Sequence, residues 1–244
     1  METIYFPGCT AAYRQQDTAR ASVKILRAGG IEFDVLGERE LCCGSVLFNS
    51  GFFDEGVEIA KKNLEMFKEL GIKKIITACA GCTKTFKETY AHLFAEEGLP
   101  YEVKNITEVV DELIREGKLK FKENGEKIRV TYHDPCHLGR SLGTYEPARR
   151  ILRAIPGVEF VEMKRNRENS RCCGAGGGVR SAYPETAISL AKRRIADAEE
   201  VGAELIVTPC PFCVLNLGDG AKQKGSNVKV KDITVFIAER LKED

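Results

Sequence analysis

The feature that most constrains this chain is a five-cysteine pattern written twice, which uses all ten of its cysteines. The first copy is Cys9, the adjacent pair Cys42-Cys43 followed by Gly44, then Cys79 and Cys82. The second is Cys136, Cys172-Cys173 followed by Gly174, then Cys210 and Cys213. Thiolates are preferred ligands of iron–sulfur clusters and zinc, so this placement implies two metal centres.

The surroundings repeat with the cysteines. Cys9 and Cys136 differ by 127 positions, and both follow a short apolar run, Ile4–Phe6 in one copy and Ile128–Tyr132 in the other. Helical patterns follow over Asp17–Ala28 and Glu146–Ala154, then strand patterns over Gly30–Phe33 and Gly157–Phe160. Beyond each Cys-Cys-Gly, apolar residues recur at helical spacing: Val57, Ala60, Leu64 and Phe67, and Ile188, Ala191, Ile195 and Ala198. Gly71 and Gly202 close these helices. Strands Lys74–Thr77 and Glu204–Val207 lead into the Cys-x-x-Cys pairs, and Val103–Thr107 and Val230–Thr234 each open a final amphipathic helix.

Strands alternating with helices predict an α/β fold: two pseudo-symmetric repeats with largely parallel sheets. The expected domains are residues 1–117 and 128–244, joined by the polar linker Gly117–Lys127. In such sheets functional groups gather beyond the carboxyl ends of the strands. Cys9, Cys79, Cys136 and Cys210 each fall just after a predicted strand, so each repeat is expected to collect its five thiols at one rim.

Composition narrows the compartment and the partners. With 37 basic and 36 acidic residues and no long run of one sign, nothing marks a nucleic-acid protein. The charged share of 30% is slightly high, as in thermophilic proteins. The N-terminus reads as a core strand rather than a signal peptide, and no apolar stretch approaches the ~20 residues of a membrane span. A cytoplasmic location follows as the expectation, and there thiols stay reduced rather than forming a disulfide framework.

Zinc takes four tetrahedral ligands, so five cysteines per copy exceed its need. An adjacent Cys-Cys pair also suits one small ion poorly, because successive side chains diverge in extended chain. A multi-iron cluster is wider and accepts neighbouring thiolates on different irons. From spacing alone an iron–sulfur cluster, a zinc ion and plain reduced thiols all stay open.

Together the motifs resemble the cysteine-rich CCG family. They include Tyr5-Phe6-Pro7-Gly8-Cys9-Thr10, Cys79-Ala80-Gly81-Cys82, His133-Asp134-Pro135-Cys136-His137-Leu138-Gly139-Arg140, Arg171-Cys172-Cys173-Gly174-Ala175-Gly176-Gly177-Gly178 and Cys210-Pro211-Phe212-Cys213. Between cysteines lie 32 and 35 residues in the first copy, 35 and 36 in the second. The flanking residues look closest to heterodisulfide reductase catalytic subunits of the D type. The resemblance implies an iron–sulfur oxidoreductase subunit that passes electrons to a disulfide or related acceptor. Its cofactors would be one or two noncubane 4Fe-4S clusters, one ligated by Cys9, Cys42, Cys43, Cys79 and Cys82, the other by Cys136, Cys172, Cys173, Cys210 and Cys213. Some relatives hold zinc in one half.

Two other functions are compatible with the same pattern. One is an electron-relay subunit of a lactate, glycolate or glycerol-3-phosphate oxidation complex; the other is a zinc-binding scaffold without redox chemistry. The D-type subunit carries a ferredoxin-like region ahead of its CCG domains; with no cysteine spare in this sequence, such a region is not expected here. Electrons are therefore expected from a ferredoxin-like or flavoprotein partner. A membrane-anchor subunit as a further partner would place the chain at the membrane periphery.

Several other residues invite a role. The glycines of 174–178 suit close backbone approach to a cluster and N–H donation to its sulfur atoms. His133 and His137, flanking Cys136, suit hydrogen bonding or packing rather than ligation, and His92 suits the surface. Pro135, Pro209 and Pro211 stiffen the chain beside cysteines. Of the arginines gathered in the second copy, Arg140 and Arg171 are the candidates for an anionic substrate group, by their distance from cysteines. Arg149, Arg150 and Arg165 read as solvated charge.

Overall fold

The computed structural model describes residues 2–123 and 125–242. Met1, Glu243 and Asp244, at the ends of the two expected domains, and Asn124 of the expected linker lie outside them.

The chain is α/β with two parallel sheets. The first sheet takes the order β1 (Thr3–Phe6), β2 (Lys74–Thr77), β3 (Glu102–Asn105). The second runs β5 (Val158–Phe160), β4 (Ile128–Tyr132), β6 (Leu205–Thr208), β7 (Lys229–Asp232). The orders correspond, except that the strand expected over Gly30–Phe33 shrinks to one parallel bridge between Ile4 and Asp34. There only the Asp34 amide and carbonyl reach β1, bonding Thr3 O and Tyr5 N at 3.0 and 2.9 Å, so a ladder does not propagate.

Helices follow the same duplication. In the first repeat they are α1 (Cys9–Tyr13), α2 (Gln16–Ala28), α3 (Ser45–Asn49), α4 (Phe53–Glu69), α5 (Ala80–Lys84), α6 (Tyr90–Leu93) and α7 (Ile106–Arg115). In the second they are α8 (Glu146–Ala154), α9 (Val179–Ala182), α10 (Pro184–Glu200), α11 (Pro211–Lys224) and α12 (Ile233–Arg240). A π-helical turn over Thr85–Thr89 joins α5 to α6, and another over His137–Ser141 stands where α1 stands in the first repeat. Among the described residues no helix is long and apolar enough to cross a membrane.

One apolar core joins the repeats. It combines Tyr5, Ile76, Val109 and Leu113 with Val130, Leu152, Val207 and Phe236, from both sheets and from the helices between them. Within it α2 packs on α12 and α7 on α8, an exchange consistent with an approximate two-fold relation. The outer faces carry separate cores, with Leu64 of α4 and Phe86 of the π-helical turn on one side and Ile195 of α10 and Leu217 of α11 on the other. The Arg150 guanidinium pairs with the buried Asp111 carboxylate at 2.6 Å across the two repeats. The linker is tied down as well: Phe121 and Leu241 form an antiparallel bridge, and Leu119 is buried.

The last helices expose a built-in comparison. Asn105 caps α7, its side-chain oxygen accepting from Thr107 N and its Nδ2 donating to Thr83 Oγ1 at 3.0 Å. Asp232 caps α12 in the same way, but its Oδ2 is buried without a hydrogen-bond partner among the described residues. Burial pushes the Asp232 carboxyl up to about 7, against the hydrogen bonds from Thr234. The folded protein therefore holds this proton where the unfolded chain has lost it, and stability falls as pH rises from about 4 to about 7, by about 1.4 kcal/mol per unit. Asp232→Asn is expected to raise stability above pH 7 by up to about 4 kcal/mol and to lose that advantage toward pH 4. Urea unfolding across this range measures it.

Candidate metal centres

The strand ends build one cavity rather than two. All ten cysteines line a single, mostly apolar cavity of about 200 Å³, together with His137, Arg180 and the glycines 176–178. Its lining contains no carboxylate among the described residues. Soft sulfur donors without hard oxygen ligands select iron–sulfur clusters or zinc over magnesium or calcium.

Each cysteine position has a local cause. After β1 the chain turns at Gly8, whose φ is +76°, and Cys9 opens α1. A Cβ at Gly8 would lie 2.9 Å from Cys82 Sγ, so glycine is what lets this turn approach the thiol. Cys79 and Cys210 follow β2 and β6 and cap α5 and α11, while Cys82 and Cys213 lie inside the first turns. The adjacent pairs end in Gly44 and Gly174, with φ of +83° and +91°. These turns bring both members of each pair to the cavity, which extended chain would not do. Gly44 N donates to Cys42 Sγ at 3.4 Å and Gly174 N to Cys172 Sγ at 3.3 Å, as expected of a glycine loop beside sulfur. Behind the pairs, Tyr90 Oη donates to Cys43 O at 3.2 Å and Asn216 Nδ2 to Cys173 O at 2.6 Å.

The walls interlock between repeats. α5 packs against the His137–Ser141 turn, and α1 against α11, so each Cys-x-x-Cys helix abuts the other repeat's first-cysteine turn. At the centre Ala80 N donates to Pro209 O at 3.2 Å, which sets Cys79 and Cys210 beside each other at the seam between the repeats. The neighbouring Cys210 thiol, and after it the Cys82 thiol, hold Cys79 well below the usual thiol range. Thiols of Cys42 and Cys82 bring Cys43 down to about 6, and those of Cys136 and Cys173 bring Cys172 down to about 2. The adjacent Cys172 thiol raises Cys173 to about 12.

The histidines divide. His137 lines the cavity, half-buried, and burial lowers its imidazole. His133 is fully buried, with a ring nitrogen within 4.8 Å of the sulfur atoms of Cys173 and Cys213. His92 is exposed on α6. Neither Arg140 nor Arg171 lines the cavity: Arg140 Nη1 donates to Ser170 O at 2.6 Å and Arg171 Nη1 pairs with Asp197 at 2.8 Å. Both brace the segment that carries Cys172. The arginine in the lining is Arg180, held by Asn216 Oδ1 at 2.6 Å and Asp219 at 2.5 Å.

Two arginines that sequence reasoning missed lie behind the second thiol set, each 0% exposed. Arg149, read above as solvated charge, makes a two-pronged pair with Asp134 at 2.7 and 2.9 Å and also bonds Glu162. Arg194 spans Arg165 O, Asp197, Ser170 Oγ and His133. A signal for Arg194 existed: it sits on the same stripe of α10 as the buried Ala187, Ala191 and Ala198.

Comparison with known proteins decides the family. The CCG cysteine-rich domain model matches residues 3–87 and again 130–218. The chain belongs to the CCG family. Among its relatives, the D-type subunit of the dihydromethanophenazine:CoB–CoM heterodisulfide reductase of Methanosarcina acetivorans is 46% identical over 98% of this chain and 58% of that protein. The B-type subunit of the fumarate reductase (CoM/CoB) of Methanothermobacter marburgensis is 38% identical over 94% of this chain and 44% of that protein. The probable iron-sulfur-binding oxidoreductase FadF of Bacillus subtilis is 37% identical over 98% and 34%. This CCG chain therefore spans less than two thirds of the length of each. Among solved structures, glutamate racemase RacE1 from Bacillus anthracis is similar at a TM-score of 0.39 and 16% identity, over 98% of this chain and 79% of that chain.

Proposed function

We propose that this chain is an iron–sulfur oxidoreductase subunit in which two CCG units, residues 1–117 and 128–244, each hold one cluster and together enclose the acceptor. The observation that carries this reading is the convergence of all ten cysteines on one cavity. Cys9, Cys42, Cys43, Cys79 and Cys82 are the ligands of one centre, and Cys136, Cys172, Cys173, Cys210 and Cys213 those of the other. Five sulfur donors per centre exceed the four of zinc and suit the noncubane 4Fe-4S type. When bound, such clusters supply single electrons.

The chain's own residues do the rest. The adjoining sets, which meet where Ala80 N bonds Pro209 O, hold a substrate with two sulfur atoms between them. Reductive cleavage of a disulfide takes two electrons and two protons and leaves two thiols. His137 is the group in the lining that is placed to hold or give one of those protons. Arg180, rather than Arg140 or Arg171, is the cation at hand for an anionic substrate group. The electrons come from a partner protein, in keeping with relatives named as subunits of reductases.

Anaerobic reconstitution with iron and sulfide tests this. The expected product is brown, carries several irons and acid-labile sulfide per chain, and has an EPR signal that changes when a disulfide and reductant are added. One or two zinc ions without sulfide from iron-replete, anaerobic cells would sink the reading. Clusters whose signals ignore every disulfide would point instead to an electron relay.

A further inference from the structure

The two centres are built from the same five cysteines but not from the same surroundings. Three residues before Cys136 stands His133, and three before Cys9 stands Phe6. Arg194 on α10 occupies the place that Asn63 holds on α4, since α10 and α4 correspond residue for residue over their 17 positions. The second repeat therefore has a buried histidine and arginine where the first has a phenylalanine and an asparagine.

Arg194 sets the protonation of His133. Its Nε donates to His133 Nδ1 at 3.1 Å, and its other nitrogens are fixed on Arg165 O at 2.6 Å, Asp197 at 3.2 Å and Ser170 Oγ at 3.2 Å. A guanidinium has only donors and does not give up its proton in a protein. Nδ1 must then be the acceptor, which places the ring's single proton on Nε2. His133 Nε2 is buried and has no hydrogen-bond partner among the described residues. The same ring lies within 4.8 Å of the sulfur atoms of Cys173 and Cys213. Ligation through Nε2 would require a proton to leave a ring whose other nitrogen is already an acceptor.

We infer that His133 is not a metal ligand but a neutral N–H donor to the sulfur of the second centre, locked in that form by Arg194. This inference rests on the iron–sulfur reading above. Hydrogen bonds to cluster sulfur favour the more negative, reduced state and raise the reduction potential. Phe6 offers the first centre no such donor, so the second centre has the higher potential and is where an electron shared by the pair resides.

The test compares cluster-loaded wild type with His133→Phe and His133→Gln in EPR-monitored redox titrations, the second centre being assigned by its loss in Cys172→Ser. His133→Phe is expected to weaken reduction of the second centre about tenfold, equivalent to about 59 mV for a one-electron couple, and to leave the first unmoved. His133→Gln, which keeps an amide N–H, is expected to recover part of the shift. An unmoved potential, or loss of second-centre iron in both variants, overturns the inference. Should His133→Phe fail to fold, electron–nuclear double resonance on 15N-histidine-labelled wild type decides. Weak coupling to a histidine N–H supports the donor; ligand-strength nitrogen coupling, or none, overturns it. If the protein instead holds zinc and no sulfide, the iron–sulfur reading fails separately. Nitrogen NMR of the zinc form then still decides between a neutral Nε2–H ring and a zinc-bound nitrogen.

Discussion

Cys173→Ser, reconstituted anaerobically, is expected to lose one cluster signal and about half of its iron and acid-labile sulfide while keeping the other centre. The reason lies in the partition of the cavity wall. Cys173 is buried, follows Cys172 directly in the chain, has its sulfur within 4.8 Å of that of Cys213, and belongs to the set carried by β4, β6 and the loop ending at Gly174. A serine hydroxyl is a hard donor and replaces a thiolate poorly at iron. Cys43→Ser is the mirror experiment and removes the other signal. Cys79→Ser differs, because Cys79 stands at the seam where Ala80 N bonds Pro209 O of the other repeat, and it is expected to disturb both signals. Iron and sulfide analysis with EPR reads all three. Survival of both signals unchanged in Cys173→Ser would refute the assignment of the ligands.

Arg149→Met is expected to destabilise the protein by about 3–5 kcal/mol. Arg149 and Asp134 are 0% and 2% exposed, and removal of the cation leaves a buried carboxylate unpaired. Asp134 also accepts from Arg167 N at 2.9 Å, and its carbonyl accepts from Ser170 Oγ at 3.3 Å. The loss therefore reaches the loops that carry Cys136 and Cys172. Urea unfolding measures the change. The double variant Arg149→Met with Asp134→Leu is expected to recover much of it, since no fully buried charge is left unpaired and the part-exposed Glu162 still has Arg167 at 3.6 Å. Equal loss in the single and double variants would show that packing over Tyr132, 5.2 Å from the guanidinium, matters more than charge.

Local pattern carried much of the fold. Helix Glu146–Ala154 and strands Lys74–Thr77 and Ile128–Tyr132 lie where apolar spacing, proline and glycine place them. The strand expected over Gly30–Phe33 was the exception, because edge pairing depends on a neighbour that local sequence does not describe. The site was legible as a set of residue types and positions. Its electrostatics were not: Arg149 reads as one more exposed cation until Asp134 and Glu162, at 15 and 13 positions away, are seen to meet it. Likewise Arg140 and Arg171 looked suited to a substrate by distance along the chain, yet their guanidinium groups turn to Ser170 O and Asp197.

By itself the sequence determined the duplication, the parallel α/β class and the ten sulfur atoms, because periodicity and cysteine spacing are properties of neighbouring residues. Only the tertiary structure decided that the two sets share one cavity, that each Cys-x-x-Cys helix abuts the other repeat, and that His133 faces Cys173 and Cys213 with Arg194 behind it. These are contacts between residues far apart in the chain. They exist only because the apolar faces of helices α2, α7, α8 and α12 hold the two sheets in one core and bring their strand ends to the same place.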